Sequence, residues 1–230
     1  RRASTRARAG ASRPPIPGPA LACTPLRRRA SLGLLGTVAG GIVPLVVSGG
    51  RLLVVGVLGY SVSDLITGTT YNGSAMTLAA KLAPAGASNR WTYLFWQVGP
   101  TSGAHNVVVS ASGTSGIFAG AADYTGVNAA GQPDATVTHA GAGAITTLTT
   151  SITTVANNSW AILIENGFDS PGNPPSAGAG LTLRAVDATF GAWGLFDSNG
   201  PITPAGSYSM TTTYVGPSVS IDHVAASFKP

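Results

Sequence analysis

Eight carboxylates and three histidines are the groups in this 230-residue chain that could act as acids, bases or metal ligands. Glu165 is the single glutamate, and it lies at the end of the apolar segment SWAILIEN (159–166). Glycoside hydrolysis needs a second carboxyl group about 5–9 Å away. A strand-end carboxylate that faces water explains the position of Glu165 equally well. The solvated carboxylate is the prediction, and a glycosidase centred on Glu165 is one alternative.

The histidines give no sign of a shared site. His105, His139 and His223 lie far apart in sequence, and none belongs to an H-x-H or H-E-x-x-H pattern. His223 follows Asp222 directly, but neighbouring strand residues point to opposite faces, so the two side chains should not meet. The chain contains no G-x-S-x-G elbow and no phosphate-binding glycine loop. The sequence therefore predicts a protein that is not an enzyme and has no cofactor.

Two loops of similar sequence, FDSPGN (168–173) and FDSNG (196–200), could offer oxygen atoms to a cation. Asp169, Asp197 and Asn199 are the candidate ligands, because Ca²⁺ prefers carboxylate and amide oxygens. Neither loop has the later bidentate acid of a calcium-binding loop, and Asp, Ser, Asn and Gly are also ordinary turn residues. Plain turns are the prediction, and Ca²⁺ is the alternative.

Aromatic side chains that lie exposed can stack on sugar rings, as in sandwich lectins. Trp91, Trp96 and Trp160 occur in apolar, strand-like segments, which predicts that they are buried. Trp193 lies in the glycine-rich stretch GAWG, and Tyr60 begins a loop. We therefore expect Tyr60 and Trp193 to be exposed, and they are the candidate glycan contacts.

Charge is distributed unevenly along the chain. The first 29 residues contain no acid and eight arginines: Arg1, Arg2, Arg6, Arg8, Arg13, Arg27, Arg28 and Arg29. The other 201 residues hold five basic and eight acidic groups, a net charge of −3, so their surface does not favour nucleic acid. The arginine-rich segment could bind the phosphates of a genome or lie in an acidic groove of a neighbouring subunit; anchoring to a subunit is the prediction. The single cysteine, Cys23, excludes an intrachain disulfide.

The segment RRRASLGLLGTVAGG (27–41) joins this basic region to an apolar run. A basic start, an apolar stretch and small residues are also the parts of an export signal, which is the alternative. The apolar run is shorter than the about 20 residues that a membrane span needs. We predict an extended basic arm over residues 1–38, then a domain over residues 39–230, with no membrane span.

The domain consists of about a dozen strand-like segments separated by turn signals. RLLVVGVLG (51–59) and the aromatic RWTYLFWQV (90–98) are typical of core strands, and Asn72-Gly73 is typical of a type I′ hairpin turn. AHNVVVSAS (104–112) and GIFAGAADYTG (116–126) are predicted to be two further strands. The pattern predicts an all-β, two-sheet antiparallel β-sandwich.

Several stretches carry a resemblance to a known kind of domain: RLLVVGV, TTYNGSAMTLAAK, YLFWQVGPTSGAHNVVVSASG, AGAADYTGV, SWAILIENG and VAASFKP. With them, residues 50–230 resemble the jelly-roll or concanavalin A-like β-sandwich of phage head and tail appendage proteins and bacterial cell-surface proteins. The resemblance implies a virion-decorating, accessory or adhesive role in an extracellular setting. The arginine-rich lead-in departs from the serine- and threonine-rich lead-in that is usual for such domains.

These observations together predict a non-enzymatic structural protein on a virion or cell surface. Its expected partners are copies of itself and other subunits of the assembly, with the arm as an anchor. A carbohydrate-binding or adhesin module is the first alternative, and a genome-binding jelly-roll capsid protein is the second.

Overall fold

The computed structural model describes residues 33–47, 49–84, 89–167, 174–187, 193–214 and 220–230. The described residues form strands and no helix, which confirms the prediction of an all-β protein. The strands are β1 (Gly33–Val47), β2 (Leu52–Tyr60), β3 (Ile66–Tyr71), β4 (Ser74–Ala75), β5 (Thr77–Leu82), β6 (Arg90–Val98), β7 (Gly103–Tyr124), β8 (Ala135–Ala140), β9 (Thr147–Thr153), β10 (Trp160–Gly167), β11 (Ser176–Ala177), β12 (Thr182–Asp187), β13 (Trp193–Asp197), β14 (Ser207–Thr213) and β15 (Ile221–Phe228). In this part of the chain no helix has the length and apolar character needed to cross a membrane.

The described strands pair antiparallel in three sheets rather than the predicted two, an arrangement that is still consistent with a β-sandwich. Sheet A has seven strands in the order β4-β3-β7-β2-β6-β5, with β1 paired to β7 outside this path. Sheet B has the order β12-β13-β10-β15-β8, and sheet C has the order β11-β14-β9. Sheet B therefore places β10 and β15, two strands that are buried along their whole length, at its centre.

Three apolar layers hold the sheets together. Side chains of β2 and β6 pack on β10 and β15 between sheets A and B, including Val54, Leu94, Ile162 and Val224. The other face of sheet A has its own core, in which residues of β1, β3 and the first half of β7 cover β2 and β6. The third layer lies between sheets B and C and includes Leu163, Phe196 and Met210. Sheet B is thus covered on both faces, which explains why its central strands are apolar without alternation.

Two local predictions are confirmed in detail. Asn72 and Gly73 have φ of 48° and 76°, as a type I′ turn between β3 and β4 requires. In β6, Trp91, Tyr93 and Phe95 stack along one face, with ring centroids 6.4 and 6.1 Å apart. Leu94 and Trp96 belong to the core on the opposite face, as strand alternation predicts.

The prediction of two strands over residues 104–126 is wrong, because β7 is one strand of 22 residues. β1 pairs with β7 on both sides of the predicted break, with Gly40 opposite Ser110 and Val38 opposite Ser115. On its other edge β7 pairs with β3 in its first half and with β2 in its second half. The strand is therefore paired on both sides of residues 112–114, with β1 on one edge and with β3 and then β2 on the other.

The predicted arm lies mostly outside the described residues. Its eight arginines and Cys23 all lie outside the described residues. The first described strand begins at Gly33, and β1 therefore runs across the predicted boundary at residue 38.

Candidate functional site

Glu165 is fully buried, so the prediction of a carboxylate that faces water is wrong. It lies opposite His223 in the β10–β15 pair, on the face of sheet B that sheet C covers. Burial raises the pKa of Glu165 to about 8, although the nearby hydroxyl groups of Thr212 and Tyr214 lower it in part. Neither carboxyl oxygen has a hydrogen bond of standard geometry within the described residues. Glu165 is therefore held uncharged near neutral pH, in a place that no substrate reaches.

His139 and His223 are close neighbours, which their separation in sequence does not suggest. The register of β8 and β15 places them opposite each other. The Thr150 Oγ1 atom lies 2.9 Å from His223 Nδ1 and 3.0 Å from His139 Nδ1, and Thr212 Oγ1 lies 2.8 Å from His223 Nε2. Burial, together with the nearby His139, lowers the pKa of His223 to about 3.

This cluster of Glu165, His223, Thr150 and Thr212 belongs to the interface between sheets B and C. All four side chains are at most 3% exposed, so the cluster has the residue types of an acid–base site but no access for a substrate. Asp222 is also buried, and strand alternation directs it to the opposite face from His223, as the sequence predicts. Within the described ranges, no three histidine, cysteine or acidic side chains are grouped in a way that could hold a metal ion.

Asp197 does not offer its oxygens to a cation, because an arginine already occupies them. Arg184 donates from Nε to one carboxylate oxygen and, over 2.9 Å, from Nη2 to the other. The Tyr124 hydroxyl also donates to Asp197 over 3.1 Å, and the Asn199 backbone N–H donates over 2.9 Å. Asn199 has a φ of 55°, in the left-handed region that turns use. The Ca²⁺ candidate at Asp197 and Asn199 is therefore overturned, and Asp169 lies outside the described residues.

The expectation that Trp193 is exposed is wrong, because its side chain is 1% exposed. Its indole packs against Gly120 of β7, where a Cβ atom would lie 2.4 Å from the Trp193 ring. The glycines around Trp193 suggest a loop in the sequence, whereas Gly120, more than 70 positions away, provides the space that buries it. Trp160 is buried as predicted, and Trp91 and Trp96 are partly buried.

Tyr60 is exposed as predicted, with 48% of its surface open to solvent. The Arg90 guanidinium lies over its ring, 5.6 Å from the centroid, and donates to the Gly167 carbonyl over 3.1 Å. Val62, two residues further, is 78% exposed. Tyr60, Val62 and Arg90 thus form a small mixed surface, here called the Tyr60 surface, with one aromatic ring and one cation.

A second cation–aromatic pair lies near the same end of β6. Lys81 lies 5.7 Å from the centroid of Trp91 and forms an ion pair with Asp64. The Tyr93 hydroxyl donates to Asp64 over 2.6 Å. Burial raises the pKa of Asp64, but the hydrogen bonds from Lys81 and Tyr93 outweigh burial and hold it below the usual value. These polar groups form hydrogen bonds and an ion pair with one another, so few of their donors and acceptors are available to a ligand.

The outer side of β1 presents apolar side chains to solvent. Ile42 and Val46 are 52% and 45% exposed, and Pro44 between them is also exposed, whereas Leu45 and Val47 are buried in the core. Residues 33–47 contain no charged side chain. Among the described strands β1 pairs with β7 alone, so it is an edge strand. Long uncharged edge strands are the parts of a sheet that pair with other chains.

Sheet C presents a ladder of hydroxyl groups on its exposed face. Three cross-strand pairs are in contact, with oxygen–oxygen distances of 3.3 Å for Thr147–Thr213, 2.8 Å for Thr149–Thr211 and 3.1 Å for Ser151–Ser209. None of the three strands of sheet C contains a charged residue. The hydroxyls bond one another across the strands, and they give this face a polar but uncharged surface.

The fold and its surfaces define a class: an all-β antiparallel protein with buried acid and histidine side chains and an uncharged apolar edge. Comparison of the chain with protein-family models, curated proteins and solved structures finds no match.

Proposed function

We propose that this protein is a non-enzymatic structural module that assembles in several copies on the surface of a virion or cell. We further propose that its sheets form a sandwich of the jelly-roll type and that the arginine-rich segment anchors it. The observation that carries the proposal is the exposed apolar row Ile42–Pro44–Val46 on the edge strand β1. An apolar row of this kind is stabilised when a partner removes it from water.

The burial and pairing of several acidic and histidine side chains support the same proposal. Glu165 and His223 are sealed between two sheets, and Asp197 is bound by Arg184. Asp64 is paired with Lys81 and Tyr93. These four groups are thus held by contacts within the fold.

Light scattering of the purified chain tests the assembly proposal. We expect defined oligomers, and we expect Ile42→Lys to shift the mass distribution towards the monomer, because a charge cannot be buried in an apolar contact without large cost. Val155→Lys is the matched control, since Val155 is 74% exposed but lies away from β1. Deletion of residues 1–31 tests the anchoring role in the same assay. A full chain that is monomeric at every concentration contradicts the proposal.

A second candidate function, carbohydrate binding, is favoured by the Tyr60 surface. An exposed aromatic ring beside an arginine is suited to stack on a sugar ring and to hydrogen-bond its hydroxyl groups. We expect Tyr60→Ala to abolish any glycan binding by the chain, and Val62→Ala to reduce it less. A glycan array followed by titration measures both, and binding that is equal in Tyr60→Ala and the unaltered chain removes this surface as the site.

A further inference from the structure

We propose that a chain of hydrogen-bonding side chains carries protons between solvent and the buried carboxyl group of Glu165 while sheets B and C stay packed. This chain, here called the proton relay, consists of His139, Thr150, His223, Thr212 and Glu165. The inference does not depend on the proposed assembly function.

Strand register brings three titratable side chains of the proton relay into one row across sheet B. Glu165 of β10 lies opposite His223 of β15, and His223 lies opposite His139 of β8. Neighbouring strands lie about 4.8 Å apart, so each side chain is next to the following one. Glu165 and His223 are buried, whereas His139 is exposed on the edge strand β8. The row therefore runs from solvent into the interior.

Two threonines of sheet C bridge this row from above. Thr150 and Thr212 are the buried threonines of β9 and β14. Thr150 Oγ1 lies 3.0 Å from His139 Nδ1 and 2.9 Å from His223 Nδ1. On the other side of the buried ring, Thr212 Oγ1 lies 2.8 Å from His223 Nε2. Both nitrogens of His223 thus have a hydroxyl partner, and the contacts are continuous from His139 to Thr212.

The last link joins Thr212 to Glu165. Burial raises the pKa of Glu165, and the hydroxyl groups of Thr212 and Tyr214 lower it in part because both lie near the carboxyl group. Neither carboxyl oxygen has a hydrogen bond of standard geometry in the described part of the chain. This link therefore closes when the carboxyl group turns towards the Thr212 hydroxyl.

The proton relay can be hydrogen-bonded in two directions. A hydroxyl group donates one hydrogen and accepts others, and a neutral imidazole donates from one nitrogen and accepts at the other. In the outward direction, Glu165 donates to Thr212, and Thr150 donates to His139. In the inward direction, His139 donates from Nδ1 to Thr150, and Thr212 donates to the Glu165 carboxylate. The Thr149 carbonyl, 3.1 Å from His139 Nδ1, also accepts in the inward direction.

The transfer of one hydrogen along each bond converts the outward direction into the inward one. The Glu165 O–H proton passes to the Thr212 oxygen, whose own proton passes to His223 Nε2. The His223 Nδ1 proton passes to the Thr150 oxygen, whose own proton passes to His139 Nδ1. His139 then releases its Nε2 proton to water. One proton reaches solvent, Glu165 gains one negative charge, and every other group in the proton relay is left neutral.

The other ionisable groups around Glu165 offer its proton no alternative acceptor. Among the described residues these are Tyr214, whose hydroxyl lies near the carboxyl group, and Arg90, which donates to the Gly167 carbonyl. Burial and the nearby Glu165 raise the pKa of Tyr214, so the phenol keeps its proton at neutral pH. A guanidinium group has no atom that accepts a proton. The route through His223 and His139 is therefore the one that the described side chains provide.

Hydrogen–deuterium exchange of the Glu165 carboxyl group tests the proton relay in the full chain at neutral pH. The infrared band of the protonated carboxyl, assigned by its loss in Glu165→Gln, shifts when heavy water replaces its hydrogen with deuterium. The backbone amides of β10 exchange when the sheet opens and serve as the reference in the same sample. We expect the carboxyl group to exchange before these amides. Exchange of both together contradicts the proposal, because the fold must then open to release the proton.

Two substitutions interrupt the proton relay at different places. Thr150→Val removes the hydroxyl that joins the two histidines, and His139→Leu removes the exposed end. In both variants we expect the carboxyl group to lose its lead and to exchange together with the β10 amides. Thr149→Val and His105→Leu are the matched controls, because the Thr149 side chain lies on the outer face of sheet C and His105 belongs to β7 of sheet A. Both controls should keep the early carboxyl exchange.

The amides of each variant separate an interrupted relay from a loosened fold. A loosened fold makes the amides exchange faster, whereas an interrupted relay removes the lead of the carboxyl group whatever the amide rate. If Thr150→Val does not fold, His139→Leu decides alone, since its side chain is exposed at the sheet edge. A folded variant of either kind whose carboxyl group still exchanges well before the amides overturns the proposal.

Discussion

Arg184 and Asp197 form a two-hydrogen-bond ion pair across β12 and β13, on the face of sheet B that is buried against sheet A. A register shift between Leu183 and Ala185 makes this contact possible. The extra residue of a β-bulge lets two successive side chains leave the strand on one side, so Arg184 turns into the core beside Ala185. Asp197 is fully buried, and its carboxylate would be costly in this place without the guanidinium.

We therefore predict that replacing Arg184 with Met lowers the free energy of unfolding by about 3–5 kcal/mol, because it leaves a buried carboxylate unpaired. Urea denaturation at neutral pH measures the change. Lys81→Met is the matched control, since it breaks the exposed pair with Asp64, and we expect a loss of at most about 1 kcal/mol. Equal effects of the two substitutions would contradict the view that burial makes the Arg184–Asp197 pair important.

Glu165 makes stability depend on pH in an unusual direction. Burial raises the pKa of its carboxyl group from 4.5 in the unfolded chain to about 8 in the folded protein. Between these values the folded state binds more protons than the unfolded state, so stability falls as pH rises from about 4.5 to about 8. We predict that Glu165→Gln removes this loss, and that the variant is more stable than the unaltered protein at pH values above 8. Urea midpoints at several pH values measure the difference.

The pKa shift of His223 has the opposite effect on the pH dependence of stability, and it sets the pH range in which the Glu165 effect can be measured alone. Its pKa falls from 6.5 in the unfolded chain to about 3 in the folded protein, so its contribution to stability falls as pH decreases from about 6.5 to about 3. The two groups oppose each other between pH 4.5 and 6.5. Above pH 6.5 the Glu165 effect stands without that of His223. A Glu165→Gln variant with the same pH dependence as the unaltered protein in this upper range would contradict the prediction.

The local elements of this fold could be predicted from sequence, because their signals lie within a few residues. The hairpin at Asn72-Gly73 and the alternation of Trp91, Tyr93 and Phe95 are both of this kind. The strand β7 could not be predicted, because the residues that pair with it beside the predicted break, Gly40 and Val38, lie 70 and 77 positions earlier.

The sites were predicted less well, because they too depend on contacts between residues that lie far apart in sequence. The sequence shows that Glu165 ends an apolar strand, but only the packing of sheet C on sheet B decides that it is buried. It likewise shows Asp197 beside turn residues, but the bulge that turns Arg184 towards Asp197 depends on the pairing of β12 with β13. A carboxylate and an arginine 13 positions apart, in an otherwise weakly charged segment, are the one feature that could have suggested this pair.

Gly120 provides the space in which Trp193 is buried, and this contact gives a further prediction. A Cβ atom at Gly120 would lie 2.4 Å from the Trp193 ring and 3.1 Å from the Ala185 Cβ atom. We predict that Gly120→Ala lowers the free energy of unfolding by about 1–3 kcal/mol, since a close-packed core cannot accept the added methyl group without shifts. Gly68→Ala is the control, because no atom lies within 4 Å of its Cβ position. Chemical denaturation and the fluorescence of the tryptophans report both changes, and a fully stable Gly120→Ala variant would show that the indole can move aside.

The hydroxyl ladder of sheet C gives a prediction about the coupling of two exposed residues. Thr149 and Thr211 are directly opposed in the β9–β14 pair, and their Oγ1 atoms are 2.8 Å apart. Cross-strand threonine pairs contribute about 0.2–1 kcal/mol relative to alanine. We predict that a double-mutant cycle with Thr149→Ala and Thr211→Ala gives a coupling free energy in this range. The pair Thr149 and Ser207, which lie on neighbouring strands without facing each other, should give a coupling near zero. If both cycles give equal coupling, the ladder does not stabilise sheet C through its hydroxyl pairs, and the β-branched shape of threonine accounts for its presence on these strands.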